Sequence, residues 1–450
     1  MDNNITQRLA EMISGVYTNN KNTLENTKKL IVDYMSASYA GYQYNRKFNQ
    51  AVEEILLPIS GGEEASVFNS DKKLPVAIAA FLNATYAHGA DIDDGHRRAM
   101  GHIGASVISA VFALADSLSV SEEKVLLAII VGYEVYVRLS SCVQPGMVKR
   151  GFHSTGTAGA IACGAACAKL LDLNEREIES AISMSATQSS GLLIVGETGQ
   201  LVKPLSPARA AETGVFSALL AKKGIEGPQN SLESKKGWFH TMSEHFDIDI
   251  LFRDFEMLNA VNECYVKPYP SCRHTHCGIE AASRLHEKVV YNDIEKIEIY
   301  IYENAINLAG VISFPKNMDE AKFSIQYTLA CAIYYGEFKL EYLFPDAVDK
   351  EVYNIIPKIE LICDNDMESS EKGIRGARVV IISKGNKKYE ETVLRPKGEP
   401  ETPFLWEDIY MKLQQCASDM IGNEEQKKLI KKIMNLGGKK EFSYRELFYS

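Results

Sequence analysis

Up to about residue 265 the apolar positions recur with helical spacing. "SVSEEKVLLAIIVGYEVYVRLS" (119–140) opens with Ser119 and Glu122 in capping-box spacing, and "DLNEREIESAISMSA" (172–186) repeats the device with Asn174 and Glu177. "LSPARAAETGVFSALLAKKGIEG" (205–227) places Pro207 at a helix start and Gly224 at its end, the usual asymmetry of helix termini. Ala, Gly and Ser crowd residues 155–222, and such small side chains let helices approach closely. The pattern changes after "VKPYPSC" (266–272). A helix over about 275–288 is followed by "DIEKIEIYIYENA" (293–305), whose apolar and polar residues alternate as in a half-buried strand. "KIELICD" (358–364) and "ARVVIIS" (377–383) are further strands, and "GNKKYEETV" (385–393) completes a hairpin with the latter. "AKFSIQYTLACAIYYG" (321–336) between them reads as helix. The pattern predicts a mainly α protein: a large all-helical domain over 1–266 together with 401–450, plus a smaller α+β domain over 267–400. "RPKGEPETP" (395–403) is the return linker.

Composition narrows the class. The 450 residues hold 46% apolar and 24% charged side chains and carry a net charge of −10. That balance suits a globular enzyme and argues against nucleic-acid binding, which needs a basic face. The N-terminus has no basic and apolar leader, and the apolar run "VLLAIIVGYEVYV" (125–137) is shorter than the eighteen or so residues of a membrane span. A cytoplasmic protein without membrane or nucleic-acid partners is expected. Nine cysteines without a C-x-x-C give neither a disulfide framework nor a zinc ribbon.

Four stretches join ionisable side chains to helix starts: "DIDDGHRRAMGHIGAS" (91–106), "GFHSTGTAGA" (151–160), "LVKPLSPARAA" (201–211) and "KPYPSCRHTHCGIEAA" (267–282). Helix N-termini present unpaired N–H groups and partial positive charge, which suit carboxylates. If the four starts converge, they form a pocket for a polyanion, supplied with protonatable groups. Each also has a plainer reading. Asp93 and Asp94 could cap or pair with Arg97 and Arg98; the histidines could cap locally; Lys203 could be a surface lysine. "CRHTHC" alternates sides too closely for a tetrahedral metal site, so no metal is expected.

In order and spacing these stretches resemble the MmgE/PrpD family. "HGADIDDGH" (88–96) matches its H-x-x-D-x-D-D run, and "GHIGAS", "GFHSTGT", "KPLSPARAAETGVFSALLAKKGIEGP", "KPYPSCRHTHCGIEAA" and "AKFSIQYTLACAI" follow in order along nearly the whole chain. The resemblance implies a helical domain and an α+β lid with the active site between them, a homodimer, no cofactor, and a small polycarboxylate as substrate. Members include 2-methylcitrate dehydratase, cis-aconitate decarboxylase and an iminodisuccinate epimerase. Carried over by position, it marks Asp91, His102, His153, Lys203, Lys267 and Tyr327, with His274 or His276 from the lid. The chain departs from the family at Gly95, where many members have Thr, and at Ile103, where many have Pro. Cys272 stands where the decarboxylase branch carries a histidine.

Dehydrating a citrate-like acid needs a base for the proton beside a carboxylate, an acid for the departing hydroxyl, and cations for the developing charge. The reading assigns His102 and His276 to proton transfer, with His274 in reserve. Lys203, Lys267 and Arg273 bind carboxylates, Asp91 orients His102 or a substrate hydroxyl, and His153, Tyr327, Asp94 and His96 complete the substrate site. The expected activity is a metal-independent hydro-lyase of the 2-methylcitrate dehydratase type, with decarboxylation or epimerisation as alternatives. A catalytically inactive carboxylate-binding protein is the non-enzymatic rival.

Overall fold

Small side chains set how closely the first helices approach. The computed structural model describes residues 4–59, 62, 64–196, 201–369 and 372–448. In the helix Ser154–Leu170 every residue but Lys169 is buried. It packs against Glu122–Val143 and Leu205–Lys222. At Gly214 of the last helix, an added Cβ would lie 2.2 Å from Cys163 Cβ and 2.6 Å from Gly164 N. Only glycine permits that spacing.

Helix starts follow local capping chemistry. Asn174 and Glu177 form the capping box expected from their spacing. The preceding case differs: Ser121, not Ser119, caps Glu122–Val143, its hydroxyl accepting from Lys124 N at 3.4 Å. The reason is the C-terminal tail, which takes the backbone here: Phe442 N donates to Val120 O and Glu122 N to Lys440 O, both at 2.9 Å. Pro207 sits inside the first turn of Leu205–Lys222, which Pro204 precedes.

Helices take 58% of the residues and strands 10%, so the protein is mainly α. Buried apolar side chains fall into two clusters. The larger spans residues 5–266 and takes in 404–447 from the tail, through Ile409, Leu413, Leu429 and Ile433. The smaller centres on the helices His276–His286 and Ile325–Tyr335 and a four-stranded sheet. Sheet order is 359–363, 294–301, 377–383, 387–393; the first pair is parallel and the others antiparallel. Ile297, Ile299 and Ile301 point to the core from the second strand, as its alternation requires. The helix read over 321–336 is interrupted: Met318–Lys322 ends, and Ser324 caps Ile325–Tyr335 by accepting from Tyr327 N at 3.1 Å. Ala37, Ala40, Ala90 and Ile92 also belong to this second cluster, so the 88–104 segment lies where the two cores meet.

Glu122–Val143 is the one helix among the described residues long and apolar enough to cross a membrane, and 89% of its apolar window is buried inside the protein, the position of a core helix.

A buried ion pair ties the tail to this junction. Lys412 of Trp406–Ala417 bonds to Asp33 of Lys21–Tyr44 and donates to Ile92 O at 2.6 Å. The two side chains are 3% and 1% exposed. Removing one partner strands the other charge in the core, so Lys412→Ala is expected to lower stability by about 3–5 kcal/mol. The exposed pair Lys427–Glu424 is the control, and Lys427→Ala should leave the urea midpoint unchanged. Equal midpoints for both variants would show that the tail pair anchors nothing.

Candidate active site

The segment between the helices Val76–Ala87 and Gly104–Asp116 is shaped by its three aspartates. Asp94 accepts from Gly104 N at 2.9 Å and from Tyr133 Oη at 2.8 Å, which fixes where the second helix begins. Burial, with Asp33 and Asp93 nearby, pushes its carboxyl up to about 7. Asp93 faces His88, whose Nδ1 lies 2.9 and 2.8 Å from its two oxygens. Arg97 instead meets Glu399 and Glu401, so the alternative pairing of Asp93 and Asp94 with the arginines is not formed. Asp91 sits in the left-handed region, at φ +54°.

Asp91 is the hub. Its carboxylate is 2% exposed and meets two ammonium groups. Lys267 Nζ donates to Asp91 Oδ1 and to its backbone O, each at 2.7 Å, and Lys203 Nζ lies 2.9 Å from Oδ2. Burial alone would raise this carboxyl, yet the two ammonium groups hold it well below the ordinary range. Burial wins at Lys267, which is lowered, whereas at Lys203 the pull of Asp91 overcomes burial and raises it.

His102 stands beside this hub. Its backbone N donates to Thr155 Oγ1 at 3.2 Å, and its Nδ1 lies 2.8 Å from Asp94 O. A carbonyl only accepts, so Nδ1 carries the proton and Nε2 presents a lone pair, 3.8 Å from Asp91 Oδ1. Burial, then Lys267, holds the ring well below the usual histidine range, and it is neutral. His153 immediately precedes the helix Ser154–Leu170; burial and then Lys203 lower it to about 3, and its Nδ1 is buried without a hydrogen-bond partner.

The far wall comes from residues after 266. Arg273 Nε donates to Glu399 Oε1 at 2.5 Å, and that ion pair outweighs burial and raises the guanidinium above its ordinary value. His274 Nδ1 bonds to Tyr302 Oη. Burial, then Arg375 and Arg273, keeps this imidazole neutral.

These side chains enclose a cavity of about 180 Å³. Asp91, His96, His102, His153, Lys203, Lys267, Arg273 and His274 line it, so the four helix starts singled out in the sequence do converge. Asp94 lies behind His102, not on the cavity. His276 is not brought in either: it is fully buried, its Nε2 is 3.2 Å from Ser271 O, and its ring meets Tyr269 edge-on. Tyr327 is also elsewhere, its hydroxyl donating to Tyr342 O at 2.7 Å within the second core. Both point inward because their helices turn those faces to apolar neighbours. Several lining or supporting groups escaped sequence reasoning: Tyr265, Arg375, Phe323 and Glu399. Glu399 lies in a Pro- and Gly-rich stretch that reads as a solvated linker, yet it is 1% exposed. His88 had a signal, as the first residue of the H-x-x-D-x-D-D run. Gly95 has a physical reason: an added Cβ would lie 2.4 Å from Tyr265 Oη and 2.9 Å from Gly101 O.

By distance alone, His88, Asp91, Asp93 and His102 could grip a metal ion, since one ligand atom from each falls within 4.8 Å of the others. The charges oppose it. Both Asp91 oxygens face ammonium groups, and His102 Nδ1 is committed to a carbonyl. A divalent cation would meet two like charges within contact range.

With this geometry in place, comparison with known proteins is informative. The MmgE/PrpD N-terminal domain model matches residues 7–251 and the MmgE/PrpD C-terminal domain model residues 269–436. A cis-aconitate decarboxylase-like protein of Aspergillus oryzae is 25% identical, covering 97% of this chain and 95% of its own length. The cis-aconitate decarboxylases of Aspergillus terreus and Homo sapiens are each 24% identical over 96% of this chain, covering 93% and 92% of their own lengths. The chain belongs to the MmgE/PrpD family.

Lys203 gives the sharpest test of the cavity. Lys203→Ala should stay folded, because Lys267 still meets Asp91. It should lose less than about 3–5 kcal/mol, the cost of stripping a buried charge of its partner. It should lose on the order of a hundredfold or more in kcat/KM, as when a preorganised charge stabiliser is removed. Lys203→Arg should rescue poorly, because a planar guanidinium does not replace a point charge in a shaped pocket. A folded Lys203→Ala variant with near-parental kcat/KM on the true substrate would take Lys203 out of the site.

Proposed function

We propose that this MmgE/PrpD family member is a metal-independent lyase that dehydrates a small citrate-like polycarboxylate, with the 2-methylcitrate dehydratase type as the leading reading. The observation that carries it is the pairing of Lys203 and Lys267 with Asp91 beside the neutral His102. Each ammonium has three donors. Lys267 uses two of them on Asp91 and Lys203 faces one oxygen, so both retain donors for a substrate carboxylate. Held there, the substrate would present the C–H beside that carboxylate to His102 Nε2. The same cations would steady the enolate-like charge that develops. His274 takes the place of His276 beside the departing hydroxyl, because it is the lid histidine on the cavity. Its ring is neutral before substrate binds, so the bound carboxylates must first draw a proton onto it. It then passes that proton to the hydroxyl, which leaves as water. Arg273 and His153 bind the remaining carboxylates. Residues 267–400 are read as a lid that closes on the helical part once substrate is bound.

Decarboxylation is the second reading, and the relatives in Aspergillus and Homo sapiens favour it. Against it stands Cys272 on the cavity, whose thiol burial pushes above its ordinary value. It is a poor proton donor compared with an imidazolium. Epimerisation would use the same base and return the proton to the opposite face.

Methylcitrate, citrate, cis-aconitate and iminodisuccinate, each incubated with the enzyme in heavy water, separate these readings. Dehydration yields an alkene absorbance without CO₂. Decarboxylation releases CO₂. Epimerisation labels recovered substrate and forms no alkene. CO₂ release from cis-aconitate with no turnover of either citrate would replace the hydro-lyase reading.

Chelators give an independent test. Turnover should survive prolonged EDTA treatment, since the ammonium groups already occupy the carboxylate that a metal would need. Loss of activity that a divalent ion restores would overturn the metal-independent reading.

A further inference from the structure

Behind His102 lies a buried pair that the chemistry above leaves unused. The side chains of His88 and Asp93 are 0% and 2% exposed. Asp93 Oδ2 lies 3.6 Å from His102 Nδ1, and the rings of His88 and His102 meet edge-on with centroids 4.8 Å apart. His88 Nε2 is buried without a hydrogen-bond partner, so Asp93 holds this ring through Nδ1 alone. An unsatisfied buried nitrogen is a cost that calls for a reason.

The charges around His102 supply one. Lys267, Lys203 ahead of the helix Leu205–Lys222, and more weakly His88 itself all oppose a positive ring, while Asp93 favours it. Asp91 is matched by those two ammonium groups. Asp94 offers its carbonyl to Nδ1, while its carboxyl is engaged by Tyr133 and Gly104. Thr155 meets only the backbone N. Asp93 is the remaining carboxylate: its ion-pair contacts are to His88 and His102, and Lys267 acts on it only from farther off.

We propose that His88 and Asp93 form a positioning pair for His102, in which Asp93 supplies the counter-charge for the imidazolium and His88 holds that carboxylate in place. The inference rests on His102 being the base. In that step the substrate C–H bond breaks, its electron pair stays on the substrate carbon, and the proton forms an N–H bond with the Nε2 lone pair. The ring becomes a cation with Nδ1–H still on Asp94 O. Asp93 then stabilises it from 3.6 Å away.

The test combines kinetics with ¹⁵N histidine spectra of the intact protein, using Asp93→Asn, His88→Asn, His88→Ala and the double variant Asp93→Asn/His88→Ala. Without its counter-charge the imidazolium is harder to form. The onset of His102 protonation on acidification should therefore move to lower pH in Asp93→Asn, and the acid limb of kcat/KM with it. kcat should fall about tenfold or more, part of what a general base contributes, while KM stays within twofold. His88→Asn places an amide N–H near the position of Nδ1 and should retain most activity, whereas His88→Ala should not. The double variant should be no worse than Asp93→Asn alone, as expected of two residues acting as one unit. Additive losses, or an unmoved protonation onset and acid limb in Asp93→Asn, would overturn the pair. The spectra need no turnover. A protein inactive on every polycarboxylate but with the shifted His102 onset would sink the proposed reaction and leave the pair standing.

Discussion

A carboxylate sealed from water costs several kcal/mol unless cations meet it, and Asp91 is met by two. Each cation comes from a different stretch: Lys203 from the approach to one helix, Lys267 from the start of the second core. The interaction therefore does more than neutralise charge. It sets the distance between segments separated by more than a hundred residues, and it offsets the repulsion between two neighbouring ammonium groups, which still helps to lower Lys267. Remove the carboxylate and the lysines would repel each other across the cavity. Asp91 holds this position in a backbone conformation that L residues seldom adopt, so the surrounding contacts must fix it.

The rest of the architecture can be read as support for that hub. Close packing at Gly214 and along Ser154–Leu170 brings helix starts within reach of one another, which bulkier side chains would prevent. Lys412 and Asp33 pin Ile92, the residue next to the hub, from the C-terminal tail. Glu399 does the same for Arg273 from the opposite side. Buried ion pairs of this kind add little net stability, but they fix geometry because a misplaced partner leaves a bare charge.

Much of this was legible in the sequence, for identifiable reasons. Helical periodicity, the Asn174–Glu177 capping box and the alternation over 293–305 depend on near neighbours in the chain, and they read correctly. The convergence of four helix starts was legible only as a conditional, since spacing shows that ionisable groups precede helices but not that the helices meet. The misreadings came from long-range contacts. Ser119 loses its cap to Ser121 because the distant tail bonds residues 120–122. His276 was preferred to His274 in "CRHTHC", yet two positions along a helix start turn it to the opposite face, onto Ser271 and Tyr269. Glu399 left no local trace at all, because its burial is decided by Arg97 and Arg273, each more than a hundred residues away.

The three aspartates of "DIDD" show how environment divides one residue type among three tasks. Asp91 is held well below the usual range by two ammonium groups, against its burial. Asp93 is equally buried and is also held low, chiefly by His88 and His102, with a smaller pull from Lys267. Asp94, next in the chain, has no cation and faces Asp33 and Asp93, so its carboxyl rises to about 7. Neighbouring titratable groups pushed apart in this way usually mark a division of acid and base roles. Here the two ionised members flank His102, while the third, turned away, uses its side chain on Gly104 and Tyr133 and its carbonyl on His102 Nδ1. The neutral ring is thus fixed in one tautomer by a backbone carbonyl and flanked by two carboxylates of different freedom. Asp91 is already matched by the two lysines. Asp93 is in contact only with imidazoles, with Lys267 farther off, so its charge is the freer of the two to respond to a proton on His102.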